Sequence, residues 1–231
     1  MARLLLINPN TSSETTGKML EIARSAAPQW IHVDGITNST GVPLIADADA
    51  LAASASSVAA MADSDILDGY DALIIGAFGD PGRDQLAQRI DRKPVIGIGQ
   101  ASMAKAAALS AGRFSVATTT PSLSASIRQL AESYGHGSSL CSVRTPPIGS
   151  DTSKLMEDAD ATEQELAWLV RQAIEEDGAG AVVIGGGPLA VAARALAPRF
   201  PHCPIIEPIP AAVELVAQEL GKTREAIALY S

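Results

Sequence analysis

Two short glycine-rich loops carry the residues best placed to do chemistry. They read "GAFGDPG" at residues 76–82 and "GGGPLA" at residues 185–190, and each follows a run of apolar β-formers. Glycine turns leave backbone N–H groups free to point at an oxygen, so the loops could stabilise a carboxylate, an enolate or a tetrahedral oxyanion. The alternative is that glycine serves only the tight strand-to-helix turns. The candidate substrate-binding residues in these loops are Ala77, Phe78, Gly79, Gly186 and Gly187.

Small polar side chains form a second group of candidates for substrate binding. Asn8 and Ser12 follow the first apolar run, and Thr118 and Thr119 follow a later one. Uncharged hydrogen-bonding groups of this kind suit recognition of a ureide, an amide or a carboxylate. Helix capping is the alternative, because Ser12 precedes a helical segment and Thr120 precedes a proline. Both explanations stay open for each cluster.

Two carboxylates are candidates for proton transfer. Asp80 is the only ionisable residue of the first loop, and it acts either as a desolvated general base or as the aspartate of a structural turn. Glu207 ends an apolar run, and it is either a base facing the same crevice or a solvated loop residue. The sequence shows no Ser-His-Asp order and no paired-carboxylate spacing. Asp80 and Glu207 are therefore the predicted catalytic residues.

The composition narrows the class of protein. The chain has 231 residues, of which 47% are hydrophobic and 3% aromatic, and its formal net charge is −9. This predicts a soluble α/β protein with an aliphatic core and no nucleic-acid partner, since no basic stripe is present. The two cysteines and three histidines lack zinc-ligand spacing, so no metal site is predicted. The N-terminal apolar run is too short for a signal peptide or a membrane span, which predicts a cytoplasmic protein without membrane contact.

Apolar runs alternate with alanine-rich helical stretches, a pattern typical of parallel sheets flanked by helices. A further strand-like run surrounds Cys141. The predicted strands lie at residues 3–8, 30–36, 71–76, 94–99, 114–119, 181–185 and 203–209, and the predicted helices at 13–26, 47–63, 121–135, 162–177 and 210–221.

The sequence also repeats itself. Three segments recur in order about 110 residues later: 4–12 in 114–122, 71–78 in 180–187, and 93–103 in 203–213. This predicts two similar parallel-sheet lobes related by pseudo-two-fold symmetry, with a pocket at their interface outside the carboxyl ends of the strands.

The predicted lobes are residues 1–97 with 208–231, and residues 98–207. In this arrangement Ala77 lies opposite Gly186 across the pocket. Alanine-rich helix faces suit self-association, so the sequence also allows the chain to form a homo-oligomer.

The loop motifs resemble the aspartate/glutamate/hydantoin racemase superfamily, most of all its hydantoin and allantoin racemase branch. The resemblance covers nearly the whole chain and is carried by "LLINPNTS" (Leu5–Ser12), "GAFGDPG" (Gly76–Gly82) and "VVIGGGPLA" (Val182–Ala190). It implies a two-lobed enzyme that needs no metal and no cofactor. In these racemases two cysteines, one in each loop, remove a proton from one face of a carbon and supply one to the other.

The resemblance places the two thiol positions at Ala77 and Gly186, neither of which can transfer a proton. Cys141 and Cys203 lie in other segments. We therefore expect a cofactor-independent enzyme that acts on a small cyclic amide, such as a hydantoin or ureide, or on a carboxylate. Isomerase, lyase and hydrolase chemistry all remain open. The alternatives are a racemase that uses a non-cysteine acid–base pair or is inactive at both positions, and a non-catalytic small-molecule binding protein.

Overall fold

The computed structural model describes residues 1–90 and 93–229, with side chains described as far as residue 222. The strands in the described part are β1 Ala2–Asn8, β2 Ile31–Thr37, β3 Ala72–Ile75, β4 Val95–Gly97, β5 Phe114–Ala117, β6 Leu140–Arg144, β7 Ala181–Ile184 and β8 Ile205–Ile206. The α-helices there are α1 Ser13–Ala26, α2 Ala48–Ala60, α3 Arg83–Arg89, α4 Ile98–Leu109, α5 Ser124–Ser133, α6 Thr152–Glu157, α7 Ala159–Glu175, α8 Ala190–Leu196 and α9 Pro208–Leu229.

The strands form two four-stranded parallel sheets of the same topology. Their strand orders are β2-β1-β3-β4 and β6-β5-β7-β8. Because β1 and β5 hold equivalent central places, the predicted repeat and the two-lobed α/β architecture are confirmed. Strands β1, β3, β5 and β7 are almost entirely buried, which explains their unbroken apolar runs.

The repeat extends to single backbone hydrogen bonds at the strand ends. The N–H of Gly76 donates to the carbonyl oxygen of Ile7 at 2.8 Å, and the N–H of Gly185 donates to that of Ala117 at 2.8 Å. These bonds fix where each strand ends and each glycine-rich loop begins. The two loops therefore leave equivalent points of the two sheets.

The structure contains helices that sequence periodicity did not predict. Helices α3, α4, α6 and α8 were missed, and the predicted strands at 94–99 and 203–209 end early because α4 begins at Ile98 and α9 at Pro208. Helix α4 is rich in alanine, and much of it is buried, so no apolar stripe alternates with a polar face. A glycine also takes its N-cap position, in place of the usual polar residue.

Two helices pack where the chain passes between the lobes. Helix α9 contacts β3, β4 and α1 of the first sheet's lobe, whereas α4 contacts β5, β7 and β8 of the second sheet and, in the first, β4, which it directly follows. On these contacts we propose the lobe boundaries predicted above, residues 1–97 with 208–231 and residues 98–207. Residues 91, 92, 230 and 231 of those ranges lie outside the described part of the chain. None of the described helices combines the length and apolar character needed to cross a bilayer.

Candidate functional site

A small cavity of about 40 Å³ lies between the lobes, outside the carboxyl ends of the strands. The first glycine-rich loop forms one side of it and the second loop another. A threonine cluster and apolar side chains complete the wall. The lining residues are Asn10, Leu44, Ile45, Gly76, Ala77, Phe78, Thr118, Thr119, Thr120, Leu123, Ile127, Met156, Gly185, Gly186, Gly187, Pro188 and Leu189.

The two glycine-rich loops touch each other beside the cavity. A Cβ on Gly187 would lie 2.5 Å from the carbonyl oxygen of Gly76, and a Cβ on Gly185 would lie 3.4 Å from the ring of Phe78. Glycine is thus required at residue 187 by close approach of backbone. Ala77 and Gly186 both line the cavity, as the repeat predicted.

Thr119, one of the residues of the cavity wall, carries an unpaired hydroxyl. The residue is 0% exposed, and its Oγ1 has no hydrogen-bond partner among the described residues. Its carbonyl oxygen, by contrast, accepts a hydrogen bond from Thr152 Oγ1 at 2.9 Å. A buried hydroxyl without a partner costs about 1–3 kcal/mol. A residue that lines a cavity and carries such a group is suited to hydrogen-bond a bound molecule.

Several backbone N–H groups of the loops are also available. No acceptor within the described ranges is bonded to the N–H groups of Ala77, Phe78, Gly186 or Gly187. These residues line the cavity together with Thr119. Backbone donors brought together in this way can hold a carbonyl oxygen or stabilise developing negative charge.

Asn8 lies behind the cavity wall. It is fully buried, and its Nδ2 donates to Asn10 Oδ1, Ser12 O and Thr16 Oγ1 at 2.8–3.0 Å. Asn8 is therefore placed to shape the loop, and Asn10, which the sequence analysis missed, lines the cavity instead. The Oδ1 of Asn10 accepts from Asn8 and from the N–H of Ser12, which leaves its Nδ2 to donate to a ligand.

Ser12 caps the first helix. Its Oγ accepts a hydrogen bond from the N–H of Thr15 at 3.1 Å, and its φ of −83° is that of an N-cap residue. Ser12 is absent from the cavity lining, so the structure places it in the capping role. Gly79 is also absent from the lining, whereas its neighbour Phe78 belongs to it.

Asp80 joins the two lobes. Its carboxylate accepts hydrogen bonds from the N–H groups of Gly99 and Gln100, in the first turn of α4, at 2.8 and 2.7 Å. It also accepts one from the hydroxyl of Tyr134, which follows α5, at 2.9 Å. A φ of 48° turns the residue toward these donors and away from the cavity. Burial raises the pKa of Asp80 to about 6, against the opposing effect of the three hydrogen bonds and of Arg83.

Glu207 also lies outside the cavity wall. It follows β8 as predicted, but its carboxylate pairs with Arg194 of α8 at 3.2 Å. The structure therefore does not bring Asp80 and Glu207 together as an acid–base pair. Within the described part of the chain, the cavity is lined by no ionisable side chain.

The two cysteines are remote from the loops. Cys203 is buried against the carbonyl oxygen of Ala179, and burial raises the pKa of its thiol. Cys141 lies in β6, near the carbonyl oxygen of Ser139. Neither thiol lines the cavity. The described residues form no cluster of His, Cys, Asp and Glu able to hold a metal ion.

Apolar side chains from two connecting segments close the cavity. Leu44 and Ile45 come from the segment between β2 and α2, and Met156 comes from α6, between β6 and α7. The two segments occupy equivalent places in the two lobes. Apolar side chains in loops carry no periodic signal, so the sequence pattern did not predict these residues as part of the site.

The two-lobed architecture is shared with a known protein family. Residues 4–216 match the model of the Asp/Glu/Hydantoin racemase family, and the chain belongs to this family. The chain is similar to the hydantoin racemase of Paenarthrobacter aurescens, with 29% identity over 219 residues, which cover 94% of this chain and 90% of the relative.

Superposition on solved structures also finds racemases that resemble this chain. The allantoin racemase from Klebsiella pneumoniae superposes with a TM-score of 0.86 and 30% identity, covering 96% of this chain and 89% of that one. The allantoin racemase from Pseudomonas fluorescens superposes with a TM-score of 0.86 and 26% identity, covering 95% and 92%. The likeness therefore extends through both lobes.

Proposed function

We propose that this protein binds a small, uncharged cyclic amide of the hydantoin or ureide class in the inter-lobe cavity. The observation that carries the proposal is the unpaired, buried hydroxyl of Thr119 in the cavity wall. Together with the free N–H groups of Ala77 and Gly186 it offers donors to ring carbonyl oxygens. The Nδ2 of Asn10 adds a further donor.

The electrostatics of the cavity favour a neutral ligand. A free amino acid brings an ammonium group and a carboxylate, and burying these charges without partners costs several kcal/mol. No charged side chain of the described residues lines the cavity to compensate them. A cyclic amide carries only dipolar N–H and C=O groups, which the wall can satisfy. The relatives named hydantoin racemase and allantoin racemase support this ligand class.

Racemisation of the same ring is the second candidate function, supported by the names of those relatives. The cavity wall supports it less well, because none of the described residues that line it carries a group that removes a proton at neutral pH. We therefore expect binding of hydantoins with little or no exchange of the hydrogen on the ring carbon, measured by NMR in heavy water. Fast exchange above the buffer rate would favour the racemase.

Replacing Thr119 by valine tests the proposed ligand contact. Thr119→Val keeps the shape of the side chain and removes the hydroxyl. The affinity for 5-methylhydantoin, measured by calorimetry, is expected to fall about 2- to 10-fold, the equivalent of one net hydrogen bond. The free energy of unfolding of the ligand-free protein is expected to stay constant or rise, because the hydroxyl has no partner to lose.

Thr37→Val is the matched control. Thr37 Oγ1 is hydrogen-bonded to Thr16 Oγ1 at 2.6 Å, and Thr37 does not line the cavity. This variant should lose stability and keep its affinity. Equal affinity of the parent and Thr119→Val would contradict the proposed contact.

A further inference from the structure

We propose, resting on the function proposed above, that Met19 sets the size of the ring that the two glycine-rich loops accept. Met19 lies on α1, is 0% exposed and belongs to the hydrophobic core. It does not line the cavity, so it does not touch a bound ring. Met19 is therefore a positioning residue, which acts through the loops in front of it.

The end of the Met19 side chain lies against both loops. A Cβ on Gly76 would lie 3.1 Å from Cε of Met19 and 3.3 Å from its Sδ, and a Cβ on Gly187 would lie 2.7 Å from the same Sδ. Both glycines line the cavity. Met19 is thus packed behind the place where the two loops meet. Because protein interiors are close-packed, the loops cannot move back without displacing it.

The helix that carries Met19 spans the boundary between the lobes and is fixed at its start. Helix α1 belongs to the first lobe, yet it contacts the segment Gly187–Leu189 and α8 of the second. Its N-cap, Ser12, accepts a hydrogen bond from the N–H of Thr15, and the Oγ1 of Thr16 accepts one from Nδ2 of Asn8 at 2.9 Å. These bonds hold the turn that precedes Met19, so the helix cannot slide away from the loops.

A fixed spacing of the loops discriminates between rings of different size. The cavity measures about 40 Å³ and leaves little room around a small ring. Dihydrouracil carries the same C=O and N–H groups as hydantoin on a ring that is larger by a single methylene group. The loops must move apart to admit it, and Met19 resists this movement. One methylene group in a closely fitting site changes affinity by roughly 10- to 200-fold, so the parent is expected to bind hydantoin at least about tenfold more tightly than dihydrouracil.

Met19→Val tests this role in a calorimetric comparison of hydantoin with dihydrouracil. Valine lacks Sδ and Cε, the two atoms that lie against the glycines, so the loops gain room to move back. The preference for hydantoin is expected to fall to about twofold or less. Met19→Leu, whose Cδ atoms reach as far as Sδ, should keep the preference of the parent. The preference is a ratio of two affinities measured on one protein, so an unfolded fraction does not change it.

Met103→Val is the matched control. Met103 lies on α4, is likewise 0% exposed and belongs to the same core cluster as Met19. The atoms closest to a Cβ on Gly76 or Gly187 belong to other residues, and Met103 does not line the cavity. Met103→Val should therefore lose stability much as Met19→Val does and keep the preference for hydantoin.

A second measurement uses the parent protein and needs no destabilising variant. Methionine labelled at its methyl carbon gives an NMR signal for Met19, which is assigned by its absence from Met19→Leu. Bound dihydrouracil should shift this signal more than bound hydantoin does, because the larger ring presses the loops against Met19. The methyl signal of Met103 should stay in place with both ligands.

Three results would overturn the role of Met19 alone. They are an undiminished preference for hydantoin in Met19→Val, an equal loss of preference in Met103→Val, and a Met19 methyl signal that bound dihydrouracil leaves in place. Equal affinities of the parent for the two rings would do the same. Failure of the parent to bind hydantoin would overturn the proposed function together with it.

Discussion

Replacing Ala77 and Gly186 together by cysteine is expected to raise exchange of the hydrogen on the ring carbon of a bound hydantoin by about 10²–10⁴-fold, the usual contribution of a positioned base. The resemblance to the racemases places their two thiols at these positions. Both residues line the cavity, so two cysteines would approach a bound ring from different loops. Free N–H groups nearby would lower the pKa of each thiol.

The backbone conformation differs at the two positions, so the two substitutions are expected to differ in their effect on the free energy of unfolding. Ala77 already carries a Cβ in the cavity wall and has no positive φ, so cysteine fits there. Gly186 has a φ of 151°, and a Cβ on it would lie 3.2 Å from the side chain of Leu189. Strain of this kind costs about 1–3 kcal/mol. Gly186→Cys is therefore expected to lower the free energy of unfolding, whereas Ala77→Cys should leave it nearly unchanged.

Exchange is measured by NMR in heavy water at neutral pH, with the buffer rate subtracted. Loss of chirality at the ring carbon, followed by polarimetry, should gain much less in each single variant than in the double variant, because inversion needs a group on each face, whereas one thiol suffices for exchange on its own face. A folded double variant that binds 5-methylhydantoin and exchanges no faster than the parent would show that the cavity no longer aligns the ring for proton transfer. The relationship to the racemases would then be one of ancestry and fold.

Asp80→Ala is expected to lower the free energy of unfolding by about 3 kcal/mol or more. The change leaves the N–H groups of Gly99 and Gln100 and the hydroxyl of Tyr134 without their acceptor, and each buried unpaired group costs about 1–3 kcal/mol. Alanine is also less suited than aspartate to a φ of 48°. Asp80→Asn should lose less, since asparagine tolerates this φ and keeps one acceptor. Urea unfolding of the parent, Asp80→Ala and Asp80→Asn measures these differences in the free energy of unfolding.

A double-mutant cycle separates the effect of the contact between the Asp80 carboxylate and the start of α4 from a general effect on packing. A Cβ on Gly97 would lie 2.0 Å from Cγ of Asp80, whereas the φ of −87° at Gly97 suits any residue. Gly97→Ala should therefore be severely destabilising alone and much less so together with Asp80→Gly. Gly17→Ala, where a Cβ meets nothing within 4 Å, is the control and should not destabilise. Additive effects of Gly97→Ala and Asp80→Gly would contradict the role given to the carboxylate.

The repeat explains how much of the fold could be predicted. Buried parallel strands are short apolar runs, and a second set at a nearly constant offset identified both sheets and predicted that Ala77 and Gly186 share one pocket, whose wall both residues line. Helices α4 and α8 escaped prediction because alanine-rich segments in contact with other elements on several sides show no polar face. Tertiary packing, which a pattern does not record, makes them helical.

The residues of the candidate site were harder to predict than the fold, because the direction of each side chain decides whether it lines the cavity. Asn8 and Asn10 are two residues apart at the end of β1, yet only Asn10 lines the cavity, since Asn8 is turned into the loop by its hydrogen bonds. Asp80 is turned away by its positive φ, and Glu207 pairs with Arg194. Thr118 and Thr119 were predicted and line the cavity. The unpaired state of Thr119 Oγ1 could be known only from coordinates.

A crystal structure of the protein with 5-methylhydantoin tests the central claim most directly. The ring is expected between the two glycine-rich loops, with a carbonyl oxygen about 2.7–3.0 Å from Thr119 Oγ1 and within hydrogen-bonding distance of a free loop N–H. A ring bound elsewhere, or bound in the cavity with Thr119 Oγ1 still unpaired, would contradict the account.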